Sequence, residues 1–284
     1  MRWTRGMMRV WLAVALPACA ARAHAHQYWL VPSDYTPHRG DVVEIGARSG
    51  VGFGGEARPW TPERCVTFTW SAGAARSLAG EAAAGDAVWA KPVVADSGGA
   101  WAAYESDYAS IELPAAEFDQ YLAEEGLAGP LAARKRMAAP PAGRERYRRC
   151  CKTWLAGSDD RRAAEMLGLP LELVPLARPG AAARLRVRVL WRGRPLAGAL
   201  VKTWRQALAA EGHPLAVIDR DSVGVAQALR SDARGEVALD VSSLGEWLVS
   251  AERMEPCPDR TQSRPGRPAA DWESTWASLT FARR

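Results

Sequence analysis

The residues best suited to chemistry stand in one short stretch. ARAHAHQYWL, residues 21–30, sets His24 and His26 two apart ahead of an aromatic run, in a chain with four histidines in all. What they can do depends on where the chain is cut. It opens MRWTRGMMR, with Arg2, Arg5 and Arg9 and no acid, then runs VWLAVALPACA, an apolar segment too short to span a bilayer as a helix. A basic start, a short apolar core and small residues predict a signal peptide over residues 1–25. Three frames fit the small-residue rule: Ala18-Cys19-Ala20, Ala21-Arg22-Ala23 and Ala23-His24-Ala25. A cut after Ala23 makes His26 the third residue. Its imidazole can then join the free amine and two backbone amides in a square-planar nitrogen set, which suits Cu(II) or Ni(II). A cut after Ala25 puts His26 first, where its amine and imidazole chelate one metal as a pair. An N-terminal amine has a pKa of roughly 7.7–8.0, so a metal competes with its proton near neutrality. Alternatively, His24 leaves with the leader and His26 is an ordinary polar residue. A rival lipoprotein cut, acylating Cys19 after Leu16-Pro17-Ala18, is weakened by Pro17.

The remaining chain offers little for catalysis. His38 and His213 lie in loop-like sequence, and Asp219 and Asp221 of VIDRDSVG read as turn acids. There is no GxSxG or HExxH, and GVGFGGE is a turn or bulge rather than a phosphate loop leading into a helix. The expectation is therefore a protein that is not an enzyme. The formal charge of +5 is largely leader: without the four arginines of residues 1–25, 33 basic residues face 32 acidic ones. That balance gives no reason to expect a nucleic-acid partner. Cys65, Cys150, Cys151 and Cys257 allow one or two structural disulfides in an oxidising compartment. Eleven tryptophans follow residue 25, and a stacked, exposed set of them would bind sugar rings or an envelope partner; packed in sandwich cores they would simply fill space.

The elements that must hold these residues are mostly strands. QYWLV, DVVEIGA, CVTFTW, DAVWA, AWAAYES and YASIEL are short β candidates separated by breakers, and they predict an N-terminal β-sandwich over residues 26–113. PAAEFDQYLAEEGL spaces Phe118, Tyr121 and Leu122 as a helix does, with Gly126 as its stop. LAARKRMAA and the basic GRERYRRCCKTWLAG read as further helix, giving a helical connecting segment over 114–167, whose arginines are expected to pair with nearby acids. From 168 the β signal returns. ARLRVRVLW alternates Leu185, Val187, Val189 and Trp191 with arginines, and SDARG supplies a turn. The fold expected is mainly β: two sandwiches, Ig-like and transthyretin- or CnaB-like, the second over 168–284.

HQYWLVPSDYTPHRGD, GVGFGGE, YLAEEGL, GRERYRRCCK, LGLPLELVPL, RGRPLAGALVKTW, SDARGEV, GEWLVSAERM and DWESTWASLTF occur in this order. The chain so resembles the DUF4198 family of exported bacterial proteins. The resemblance implies a periplasmic, two-part β protein similar to the periplasmic component of nickel and cobalt uptake systems. It implies a nickel or cobalt ion as ligand, a membrane importer or TonB-type transporter as partner, and His26 in the histidine-bearing opening; the residues themselves add copper as a candidate metal and His24 and His38 as further candidate ligands. The family pattern would place a histidine just before Met254; this chain has Arg253 there, which cannot ligate metal as a neutral imidazole does.

Overall fold

In a computed structural model the described residues are 27–72, 75–159, 161–208, 224–258 and 269–284. The signal-peptide reading, the cysteine of the lipoprotein cut, His24, His26, His213, Asp219 and Asp221 all fall outside them.

Three sheets build the molecule. β1 (Gln27–Pro32), β2 (Ile45–Val51) and β3 (Gly54–Arg58) form a small antiparallel sheet in sequence order. GVGFGGE is the tight turn between β2 and β3. Gly52 and Phe53 there both have positive φ, 41° and 48°, and the Gly52 amide donates to Gln27 Oε1 at 3.1 Å. Phe53 accepts that unusual backbone for a non-glycine residue because its ring is buried against Trp29, Trp204 and Leu248. DAVWA forms no strand; it meets the sheet through the bridge Ile45↔Ala90 and through Trp89 Nε1, which donates to the Arg58 carbonyl at 2.9 Å.

The second sheet is nine-stranded and spans most of the chain. It contains β4 (Cys65–Ser71), β5 (Arg76–Ser77), β6 (Ala100–Ser106), β7 (Ala109–Leu113) and β8 (Gly143–Leu155). With them stand β12 (Leu200–Gln206), β13 (Gln227–Arg230), β15 (Gly245–Pro256) and β16 (Trp272–Arg283). Their order is β13-β12-β15-β16-β8-β6-β4-β5, with β7 also on β8. The third sheet joins β9 (Leu171–Pro175), β10 (Arg184–Trp191), β11 (Arg194–Pro195) and β14 (Glu236–Asp240). ARLRVRVLW is β10, and Leu185, Val187 and Val189 all face the core as the alternation requires.

The large sheet is covered on both faces. Trp247, Val249, Leu279 and Phe281 meet Leu173, Val187 and Leu239 of the third sheet on one face. On the other, Phe68, Trp70, Ala102 and Cys151 meet Leu30 and Ile45 of the first sheet. Beyond that contact the same face is capped by α1 (Ala115–Glu124) and α2 (Ala128–Lys135), whose Phe118, Leu122 and Leu127 lie on Met254, Trp272 and Trp276. Pro114 precedes α1, and Gly126 beyond it takes φ +65°, as the sequence reading expects. The mainly β, sandwich-like class is therefore correct.

The helical connecting segment over 114–167 needs correction. Helix ends at Lys135, and GRERYRRCCKTWL is the thirteen-residue strand β8. β8 is central, parallel to β16 and antiparallel to β6, so strands from both expected sandwiches share one sheet. Most of its charges are paired, and Arg149 lies instead over the Tyr147 and Trp276 rings. Arg144 pairs with Asp271, Arg146 with Glu273 and Arg148 with Glu105. Lys152, 1% exposed, lies 2.8 Å from Glu172 of β9 and 4.6 Å from the Trp101 ring centroid. Arg144, Arg146, Arg148 and Lys152 of the basic run are paired with acids, as expected, but on a strand.

The tryptophans are core. Ten of the eleven are buried, and Trp191 is half-buried, which removes the exposed set that the binding-module alternative requires. Cys65, Cys150 and Cys151 are thiols, so no double pairing of the four cysteines is present.

Candidate functional site

The strand that follows the amino-terminal histidines begins buried and paired. Gln27 is 3% exposed, its side chain is fixed by Gly52, and its backbone registers with Gly50. The next residues face alternate sides: Trp29 and Leu30 are buried, and Tyr28 stacks on Tyr104 at 6.3 Å. Whatever precedes Gln27 is thus joined to a fixed point of the small sheet.

His38 is elsewhere. β1 carries the chain about 17 Å from Gln27 before the turn that holds His38 begins. The His38 side chain is 92% exposed, 3.7 Å from Asp41, whose carboxylate also accepts the His38 amide at 2.7 Å. That is a self-contained Asp-capped turn beyond the far end of β1 from Gln27. Among the described residues no group of three or more His, Cys, Asp and Glu side chains is arranged to hold a metal ion. Arg253, where the resemblance leads one to expect histidine, lies over Trp191 and pairs with Glu255 at 3.2 Å.

The chemistry that sequence reasoning missed is buried. On the cap-facing side of the large sheet, Glu145 of β8 and Glu252 of β15 lie at 3% and 6% exposure. Tyr121 of α1 reaches between them. Its hydroxyl makes a short hydrogen bond to Glu252 Oε1 and stands 3.3 Å from Glu145 Oε1. Ser274 of β16 donates a short hydrogen bond to that same Glu145 oxygen, and Trp276 Nε1 donates to Ser274 at 3.2 Å. Tyr121 and Trp276 stack nearly parallel, 7° apart. Just past α1, Glu125 pairs with Lys202 of β12 at 2.9 Å. Arg149 of β8 lies over Trp276 and Tyr147 and is the nearby cation acting on both buried carboxyls.

Burial is the main influence here. Removal from water raises the Glu145 carboxyl to about 7, opposed by the hydrogen bonds from Ser274 and Tyr121 and by Arg149. It raises Glu252 well above the ordinary range too, reinforced by the neighbouring carboxyls of Glu145 and Glu125. No residue in this cluster is spaced in sequence to announce it. Glu145 sits in a segment read as helix, and Tyr121 was legible only as a helix core residue. A second buried carboxyl, Glu246, accepts from Tyr35 and from Gln206 at 2.6 Å.

No described helix is long and apolar enough to cross a membrane. A family model described as a domain of unknown function (DUF4198) matches residues 23–255. No curated protein matches the chain.

Proposed function

The chain belongs to the DUF4198 family, and from that premise we propose that it is an exported, non-catalytic protein that binds one transition-metal ion at its mature amino terminus. The observation that carries this reading is one of position. His24 and His26 fall within the stretch matched to the family and directly ahead of Gln27, which is clamped into the small sheet. A terminal amine, backbone amides and one imidazole form a compact nitrogen set for nickel, cobalt or copper, and a rigid strand behind them limits the freedom lost on binding. The site comprises residues 24–26. His38, at the other end of β1, serves no part in it. In this reading the protein works in the periplasm and passes its ion to an uptake transporter in the membrane.

The test is intact mass of the mature protein from its native compartment, under native conditions, with and without Ni(II), Co(II) and Cu(II). The expected result is a terminus at His24 or His26, one added metal, and loss of that metal in His26→Ala but not in His38→Ala. A terminus elsewhere, or no added metal with any of the three ions, overturns the proposal.

A further inference from the structure

The buried acids under the helical cap do not balance without a proton. Three carboxyl groups meet there, Glu125, Glu145 and Glu252, against two cations, Lys202 and Arg149. Hydrogen counting gives the same answer independently. The Tyr121 hydroxyl has one proton, yet its oxygen is within hydrogen-bonding reach of a carboxyl oxygen on Glu252 and of another on Glu145. It can donate to only one of two carboxylates. The second contact closes only if one carboxyl is protonated and donates to the phenol oxygen or to its partner. Glu252 Oε2 is buried without a hydrogen-bond partner, so nothing there stabilises a charged carboxylate.

We propose that Glu145 and Glu252 form a single-proton site that latches α1 and α2 onto the large sheet. With the proton present, Tyr121 ties α1 to β8 and β15 together. Without it, two like charges face each other in a water-poor site and the phenol can satisfy only one of them. The groups facing the pair come from every surrounding element. α1 and its end supply Tyr121 and Glu125, β8 supplies Arg149 and Tyr147, β16 supplies Ser274 and Trp276, and β12 supplies Lys202. α2 brings no competing charge, since its buried Arg134 is held by Asp119 and the Pro141 carbonyl. Opening uncovers Met254, Trp272 and Trp276, the apolar face on which α1 packs.

The sign follows from linkage. The docked state holds a proton that the open, solvated acids, with pKa values of about 4.3, do not hold in the neutral range. Each opening event therefore releases one proton, and the open fraction rises about tenfold per pH unit from above the ordinary glutamate range to near neutrality. Amide hydrogen exchange of the full mature protein, corrected for the intrinsic pH dependence, measures this over about pH 5 to pH 8. The expected result is a selective loss of protection over residues 115–135, with β10 and β14 unaffected. Replacing both acids, Glu145→Gln with Glu252→Gln, removes the titrating pair and should flatten that dependence. Infrared absorption of buried protonated carboxyls should be present at about pH 6 in the wild type and weaken in that double variant, a readout that stands even if the variant's cap is loosened. Protection over 115–135 that follows the rest of the chain across pH overturns the proposal, as does absence of the carboxylic-acid band in the wild type.

Discussion

Glu172→Gln tests how the large sheet is held to the third one. In the wild type the Lys152 ammonium is buried and its hydrogen-bonded countercharge is Glu172 Oε1 at 2.8 Å, with Glu165 a weaker, more distant one. The Glu172 carboxylate is anchored in turn by the amides of Leu167 and Gly168, at 2.8 and 3.0 Å. Glutamine keeps the shape but turns an amide acceptor or donor toward Nζ without a charge. The stranded ammonium then has two options. It stays charged, and breaking a buried pair from one side costs about 3–5 kcal/mol. Or it gives up its proton, and at pH 7 this costs about 4.6 kcal/mol, the gap to a free lysine pKa of about 10.4 at about 1.36 kcal/mol per unit. The two figures agree, so the loss at pH 7 should be about 3–5 kcal/mol. The second route becomes cheaper as pH rises, falling to about 1.9 kcal/mol at pH 9. Burial already lowers the Lys152 pKa in the wild type, with Glu172 opposing that shift; taking Glu172 away lowers it further. A lysine that is neutral when folded and charged when unfolded binds its proton only in the unfolded state, so the variant gains stability on the wild type as pH rises. Urea unfolding followed by tryptophan fluorescence at both pH values measures the difference. Lys152→Met in the Glu172→Gln background should recover most of the loss, because the stranded charge is gone. A loss below about 1 kcal/mol at pH 7, or a gap that does not narrow by pH 9, would falsify the reasoning.

Two further outcomes follow from close packing and burial. Gly99→Ala should destabilise by about 2–5 kcal/mol in chemical denaturation, because Gly99 has φ +70° and an added Cβ would lie 2.3 Å from Trp154 Cη2; a change within about 0.5 kcal/mol contradicts that geometry. In the native protein near pH 8, Cys150 and Cys151 should resist alkylation that goes to completion after unfolding. Both are 1% exposed, and burial pushes the Cys151 thiol up to about 12. Half-buried Cys65, raised to about 11 by burial, should label more slowly than a free thiol but ahead of those two. Prompt native labelling of Cys151 is the opposing result.

Local signals in the sequence were read well where one face of an element is dry and the other wet. β10 alternates because its arginines point to water, α1 shows its stripe because Phe118, Tyr121 and Leu122 point to one wall, and SDARG turns because Asp232 accepts the amides of Arg234 and Glu236. β8 defeats that logic. It is covered on both sides, so alternation by polarity is lost, and its run of Arg and Glu has the composition of a solvated helix. What makes it a strand is a set of acids at Asp271 and Glu273, 127 positions away, which no local window contains. The carboxyl pair under the cap was invisible for the same reason: its members meet only through the fold. The tryptophans show the reverse case, where composition suggested a surface and packing consumed it.

The parallel pairing of β8 with β16 has a consequence in time. β8 is synthesised early, and its neighbour across nine registered residue pairs is made 127 positions later. During that interval β8 can pair with β6 and β7 but has one open edge and several arginines without their acids. Closing so distant a contact is slow, and an open edge is a place where a second chain can add. A chain that stops before β16 would leave both β8 and β15 in that condition. The molecule therefore has a vulnerable period in its biogenesis, and its length is set by how long the chain takes to deliver one strand.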